Sequence, residues 1–242
     1  MSEEKVSMKN KTLSLEQKRV GHDLMMIIIV TFIVLGIYMG YNASIDAFAK
    51  NENLPLLLRT AVLAFFQFGV AGLGITIVSI YGKESFVQFG LNRENLMKAI
   101  LLSILTFVPY SIFSMVTRES TSYMPFQSVL FTKDALSSPL PINVLGMLLI
   151  ALAWGFFEGF NYVVIADKIN IRFPSSHFWL DWGAITCAVM CIFIHGVIGI
   201  TPGDIIEMMT VLFIIYGMLM VRKMTGNAWG CVFIFVFLWN AF

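Results

Sequence analysis

Seven long stretches of this chain are almost free of charged residues, and short polar segments separate them. The stretches run from Leu24 to Ile45, Thr60 to Gly82, Ala99 to Thr117, Ile142 to Ala166, Trp182 to Ile200, Ile205 to Val221, and Met224 to Phe242. Each is close to the roughly 20 apolar residues that an α-helix needs to cross the hydrocarbon core of a bilayer. The pattern predicts an all-α polytopic membrane bundle of seven or eight helices, the eighth being broken or re-entrant between Glu119 and Pro141.

The organisation of the chain follows from the same pattern. Residues 1–23 are largely polar, and we expect them to form a cytoplasmic N-terminal segment, while residues 24–242 form a single transmembrane domain. Within the polar segment, Ser14 and Gln17 have the spacing of a capping box, which predicts that a helix starts there. The connections are too short to hold a separate soluble domain.

Composition and charge agree with a bilayer as the environment of the chain. Apolar residues make up 58% of the sequence, and the formal net charge is only +1. The basic residues lie at the ends of the apolar stretches and form no continuous basic surface, so nucleic acid is not an expected partner.

The orientation follows from the positions of the 16 Lys and Arg residues. With the N-terminus in the cytoplasm and all seven stretches crossing, only Lys50, Arg59, Arg118 and Lys133 fall outside, and the other twelve fall inside. Because cytoplasmic loops are enriched in Lys and Arg, this distribution predicts a multi-pass protein with a cytoplasmic N-terminus.

Glu158 is the only charged residue between Ile142 and Ala166. An ionisable group at membrane depth is costly, so it is a candidate functional residue, although it could also be a protonated group that joins two helices. Asn161 and Tyr162 lie on the same helix face at a spacing of three and four residues, and we assign them supporting roles.

His195 and Asn240 are the second and third candidates, each within a later apolar stretch. At a rise of about 1.5 Å per residue, His195 lies about 20 Å from Trp182, and Asn240 lies about 20 Å from Asn227. Glu158 would lie at a similar depth if its helix continued to Arg172. A carboxyl and an imidazole that meet away from bulk water are the minimum for activating a water molecule as a nucleophile.

A metal site is an alternative use of the same helix. Cys187, Cys191 and His195 are spaced by four residues and share one helix face, and thiolate and imidazole are ligands of zinc and copper. Glu158 or Asn240 could complete such a site. The packing interpretation is the stronger one, because small cysteines are common where membrane helices approach closely, and the cofactor stays open, with a divalent metal such as zinc as the candidate.

These residues resemble the motifs of the CPBP (or Abi) family, the intramembrane proteases related to CAAX prenyl protease 2. That family has a Glu-Glu-x-x-x-Arg motif, a histidine on a later helix, and a final His-x-x-x-Asn or Asp. Glu158, His195 and Asn240 resemble one residue from each of these three motifs. Two segments that precede helices are also similar to those of the family: Phe89-Gly-Leu-Asn-Arg93 before the third stretch, and Arg222-Lys-Met-Thr-Gly-Asn-Ala-Trp229 before the last helix. The resemblance covers mainly residues 85–242.

The resemblance implies a hydrolase that cleaves a membrane-associated peptide or protein. Glu158 and His195 would activate the water, and Asn240 would donate a hydrogen bond to the oxyanion. If Glu158 is the first glutamate of the motif, Gly159 and Val163 stand at the second glutamate and the arginine. If it is the second glutamate, Phe157 and Tyr162 stand at the first glutamate and the arginine. Val236 stands at the last histidine in either case.

Two other functions remain open at this point. A catalytically silent family member would bind a peptide or a partner protein in the same cavity. A small proton-coupled transporter would use Glu158 to carry the proton.

Overall fold

The computed structural model describes residues 13–117, 122–196 and 198–241. Its described residues form helices and no strand. The first part of the predicted N-terminal segment, and Glu119 at the start of the predicted re-entrant helix, lie outside the described residues.

Nine helices follow one another along the described parts of the chain. They are α1 (Leu15–Gly40), α2 (Asn42–Lys50), α3 (Leu56–Gly82), α4 (Leu96–Thr117), α5 (Thr132–Ser137), α6 (Ile142–Arg172), α7 (Trp182–His195), α8 (Pro202–Thr225) and α9 (Trp229–Trp239). Five of them, α1, α3, α4, α6 and α8, are long and apolar enough to cross a membrane. The prediction of an all-α membrane bundle is therefore confirmed, with α7 and α9 shorter than the predicted stretches.

Local signals explain several helix ends. The predicted capping box is present, because the Ser14 side chain accepts from the Gln17 backbone and the Gln17 side chain accepts from the Ser14 backbone. This cap starts α1 at Leu15, before the apolar stretch begins. Further along the chain, α7 ends at His195 because Gly196 adopts a left-handed conformation, with φ of 65°, that most other residues avoid.

Charged residues from five parts of the chain meet at one end of the bundle. We call this set the charged layer, and it consists of Asp23, Glu84, Asp167, Lys168, Asp181, Arg222 and Lys223. Within it, Lys168 is only 1% exposed and donates to both Asp23 and Glu84, at 2.7 and 2.8 Å. Arg222 pairs with Asp167 through two nitrogens. These ion pairs connect α1, α6 and α8 with the residue segments that follow α3 and precede α7.

Asp181 connects the charged layer to the start of α7. Its Oδ1 caps the helix by accepting from the Ala184 backbone, and it also accepts from Asn170, while Lys223 lies 2.9 Å from Oδ2. Burial disfavours the charge of Asp181, but these three interactions outweigh burial, and its pKa lies below the ordinary value. Asp181 therefore stays ionised at neutral pH and fixes the point at which α7 enters the bundle.

Helix α6 lies at the centre of the bundle and packs against α1, α3, α7 and α9. Phe160, Val163 and Val164 on this helix are fully buried. Its contact with α7 is close because Gly183 has no side chain: a Cβ at that position would lie 2.2 Å from the Ala166 carbonyl oxygen. The approach of these two helices sets the position of His195 relative to Glu158.

Gly183→Ala is therefore expected to force α6 and α7 apart. The added methyl group has no room against the backbone of Ala166. We expect a loss of about 1 to 3 kcal/mol in the free energy of unfolding, which unfolding in detergent would measure. Gly36→Ala is the matched control, because a Cβ at Gly36 in α1 meets nothing within 4 Å. Equal stability of the two variants would contradict the close α6–α7 contact.

Candidate functional site

Glu158 lies near the middle of α6, immediately after a π-helical segment formed by Ala151–Phe157. The helix does continue to Arg172, as the depth argument required, which places Glu158 about 20 Å from that end of the helix. The residue is only 7% exposed. A carboxyl group at this depth needs partners from neighbouring helices, because water does not surround it.

The first partner is His195. Its Nε2 lies 3.4 Å from Glu158 Oε1, which confirms that the two candidates meet. The imidazole side chain is 31% exposed and packs edge-on against the Trp239 ring, with the ring centroids 5.3 Å apart. His195 lies at the last turn of α7, about 20 Å from Trp182, so both residues occupy the same depth.

The second partner is Gln67, which the sequence analysis missed. Its Nε2 donates to Glu158 Oε2 at 2.8 Å, from the middle of α3. An uncharged polar residue within an apolar stretch was the only signal in the sequence, and such a residue often bonds within its own helix. The two oxygens of Glu158 thus have separate partners on separate helices.

Three π-helical segments border this site. They are Gly69–Leu73, just after Gln67; Ala151–Phe157, just before Glu158; and Ile234–Trp239, whose last residue contacts His195. The segment before Glu158 packs against the other two. Segments of this kind are rare in proteins and occur frequently at functional sites, because the wider turn redirects the side chains beside it.

Of the two supporting candidates on α6, Tyr162 is the more buried, with 3% of its surface exposed. Its ring stacks on Phe235, with the ring centroids 5.4 Å apart. Phe235 in turn packs against Trp239, which contacts His195. Asn161 is half-buried, and none of the described residues hydrogen-bonds to its side chain.

Asn240 is not in contact with Glu158 or His195 among the described residues. It follows Trp239, so it lies one residue beyond a neighbour of His195. Its Oδ1 accepts from the Ser128 hydroxyl at 3.1 Å, and its backbone carbonyl accepts from the Ser128 backbone at 3.2 Å. Its Nδ2 is buried and has no hydrogen-bond partner among the described residues. Ser128 thus orients the amide and leaves its N–H donors free.

Three of the positions that depart from the family pattern have packing roles. A Cβ at Gly159 would lie 3.0 Å from the Cys231 carbonyl oxygen, and Val163 is fully buried. Val236 packs directly on Gly155, where an added Cβ would lie only 2.6 Å from its side chain. A histidine at 236 would therefore have to displace helix α6 or reach past it.

The described residues contain no group of three or more His, Cys, Asp or Glu side chains arranged to hold a metal ion. Two of the cysteines instead donate to backbone carbonyls: Cys187 to Tyr162 at 3.6 Å, and Cys231 to Met218 at 3.4 Å. Cys187 and Cys231 thus make contacts typical of packing between helices, and the metal alternative drawn from the spacing of Cys187, Cys191 and His195 stays a prediction.

Two cavities lie near α6. One, of about 320 Å³, opens beside the charged layer and is lined by Val163, Asp167, Asn170 and Arg222 among others, whereas Glu158 is not in its lining. The other is an apolar groove of about 240 Å³ between α3 and α6. We take the groove as the one relevant to the site, because Phe68 and Phe157 in its wall are the chain neighbours of Gln67 and Glu158.

Comparison of the chain with models of protein families, with characterised proteins and with solved structures gave no match. The fold and the site define a class: a helical membrane protein with a carboxylate and an imidazole in contact within the bundle. A more specific function has to be argued from the chemistry of these residues.

Proposed function

We propose that the chain is an intramembrane peptidase that hydrolyses a peptide bond of a membrane-associated substrate. The observation that carries the proposal is the 3.4 Å contact between Glu158 Oε1 and His195 Nε2, deep within the bundle. A base and its partner at this distance can both reach one water molecule, directly or after small adjustments. The similarity of these residues to the CPBP family motifs supports the same reaction.

In the proposed reaction, a water molecule hydrogen-bonded to both the carboxylate and the imidazole gives up a proton to Glu158. Its oxygen adds to the carbonyl carbon of the peptide bond, and the oxyanion accepts a hydrogen bond. The proton then passes to the amide nitrogen as the C–N bond breaks, so that Glu158 is regenerated. Glu158 thus acts first as a base and then as an acid, and His195 stabilises the charge that develops.

Asn240 is the proposed oxyanion donor. Its free Nδ2 supports this role, because a buried N–H group without a partner costs about 1 to 3 kcal/mol unless a ligand pairs with it. Losing one donor of an oxyanion hole typically costs about 10²-fold to 10³-fold in rate. The absence of a second donor at Val236 is thus compatible with a slow enzyme.

A non-catalytic member that binds a peptide in the same place is the second candidate. The observation in its favour is that Asn240 bonds to Ser128 and has no described contact with Glu158 or His195. A third candidate, a proton-coupled transporter, would use the same Glu158–His195 pair to carry a proton.

One experiment separates these functions. The purified protein is reconstituted in proteoliposomes with a set of fluorescent peptides, each anchored by one apolar helix, and with a pH-sensitive dye inside. Appearance of peptide fragments supports the peptidase. Proton uptake without fragments would support the transporter instead, and tight peptide binding without fragments would support the non-catalytic candidate.

We further propose that seven segments cross the bilayer, with the N-terminus in the cytoplasm. The five long helices account for five of them, and the shorter α7 and α9 would cross together with the segments that follow them. Residues 122–137 would form the re-entrant part on the outside, since Phe126, Val129 and Phe131 pack with Ile150 of α6 in one apolar cluster. The charged layer would then face the cytoplasm, as the positive-inside rule favours.

This topology predicts the outcome of cysteine labelling. Asn51→Cys should react with a membrane-impermeant maleimide in intact cells, whereas Lys83→Cys should react only after permeabilisation; both positions are exposed. The native Cys187, Cys191 and Cys231 are fully buried, so their background labelling should be low. Labelling of Lys83→Cys from outside would overturn the orientation.

A further inference from the structure

Gln67 reaches Glu158 from a helix that the family resemblance does not include. The two residues are 91 positions apart, and the bond between Gln67 Nε2 and Glu158 Oε2 is 2.8 Å long. We infer that Gln67 is a positioning residue of the proposed peptidase, which holds the carboxylate so that Oε1 faces His195. This inference rests on the proposed function for its effect on rate, whereas the contact itself can be tested separately.

The geometry assigns a different task to each oxygen of Glu158. Oε2 is held by an uncharged donor, and Oε1 faces the imidazole at 3.4 Å. An amide N–H can only donate, so Gln67 engages Oε2 as an acceptor and leaves Oε1 to face the imidazole. Without that bond, the plane of the carboxylate could turn about its last torsion, which is a broad and shallow one, and neither oxygen would be held toward His195.

The two threonine side chains of α3 that bond within the helix behave differently. The hydroxyls of Thr60 and Thr76 donate to carbonyls of their own helix, at Leu56 and Gly72. Those bonds would form in an isolated helix, whereas the bond of Gln67 forms only when α3 and α6 pack together. A role limited to local helix structure therefore does not account for Gln67.

The surroundings of the pair restrict its geometry and shield it from lipid. Phe68 and Phe157, the next residue after Gln67 and the one before Glu158, pack edge to face with ring centroids 4.7 Å apart. These rings fit because Gly72 has no side chain: a Cβ there would lie 2.4 Å from the Phe68 ring and 2.7 Å from the Phe157 ring. The amide and the carboxylate consequently have little freedom to separate.

The test replaces Gln67 by methionine, which keeps the length of the side chain and removes its donors. The first readout is the infrared carboxylate band of Glu158 in lipid nanodiscs, isolated with isotope-labelled glutamate by subtraction of the Glu158→Gln spectrum. We expect Gln67→Met to shift this band. The matched control is Thr76→Val, which removes a bond within α3 and leaves the contact intact, so its band should stay in place.

The second readout is hydrolysis of an anchored peptide. Gln67→Met should lower kcat by about 10-fold to 10²-fold with KM nearly unchanged, because misplacing a reacting group costs rate rather than binding. Thr76→Val should keep the wild-type kcat. If Gln67→Met does not fold, Gln67→Asn, which keeps the amide on a shorter side chain, should show the same changes to a smaller degree.

The two readouts separate failure of this inference from failure of the proposed function. An unchanged carboxylate band in Gln67→Met would overturn the positioning role, and so would an unchanged kcat in an active protein. If the wild-type protein cleaves none of the peptides while the band still shifts, the contact stands, and the peptidase proposal is overturned together with the effect of Gln67 on rate.

Discussion

Glu158→Gln is expected to reduce peptide hydrolysis by about 10²-fold to 10⁴-fold, the range typical for loss of a general base. Glutamine keeps the size and polarity of the side chain, and its amide can still pair with Gln67, so the fold should be retained. The measurement is the cleavage rate in proteoliposomes together with the midpoint of thermal unfolding. Glu52→Gln, in an exposed turn, is the matched control and should keep the full rate.

Combining Glu158→Gln with His195→Gln tests whether the two residues act as one unit. If both serve the same water molecule, the double variant should lose little more activity than the more damaging single variant, because groups that act together are not additive. Additive losses would mean that each residue acts in a separate step. Undiminished cleavage by Glu158→Gln alone would remove this carboxylate from the mechanism.

Lys168→Met is expected to have the largest effect on stability. The ammonium group is buried and bonds to the carboxylates of Asp23 and Glu84. Removing it leaves two carboxylates near each other without their shared cation, and breaking a buried ion pair from one side costs about 3 to 5 kcal/mol. Arg19 pairs with Glu84 from a half-exposed position, so we expect it to compensate only in part.

Unfolding by a chemical denaturant in detergent would measure this loss in the free energy of unfolding. Lys50→Met is the matched control: Lys50 pairs with Asp46 where both side chains are more than half exposed, and such pairs contribute about 0 to 1 kcal/mol. Adding Asp23→Asn and Glu84→Gln to Lys168→Met should restore part of the lost stability, since it removes the unpaired charges. A loss below about 1 kcal/mol in Lys168→Met would contradict the role of the charged layer.

The existence of the helices could be predicted because each depends on a local property. A stretch of apolar residues that is long enough forms a helix in a bilayer wherever its neighbours lie, since backbone groups in lipid have to bond within the segment. The capping box of Ser14 and Gln17 involves residues three positions apart, and it too was found. Glu158 and His195 could also be identified from the sequence, because an ionisable side chain within an apolar stretch is energetically costly and is visible without a structure.

Helix lengths were predicted less well. The last apolar stretch, Met224 to Phe242, divides in the structure between the end of α8 and the start of α9 at Trp229. Gly226, with φ of 70°, ends the first of these helices. A hydrophobicity pattern does not show a backbone turn at two residues such as Gly226 and Asn227. The whole stretch was therefore predicted as one membrane crossing.

The sequence by itself determined the class of fold, the apolar segments and the two ionisable residues of the site, because these follow from the character of single residues and near neighbours. Only the tertiary structure decided which groups meet. Gln67 and Glu158 are 91 residues apart, and Asn240 and Ser128 are 112 apart, so no periodicity relates them. Their contacts depend on how α3, α6 and α9 pack, which is set by close approaches at Gly72 and Gly155 and by π-helical turns that shift the side chains around the helix axis.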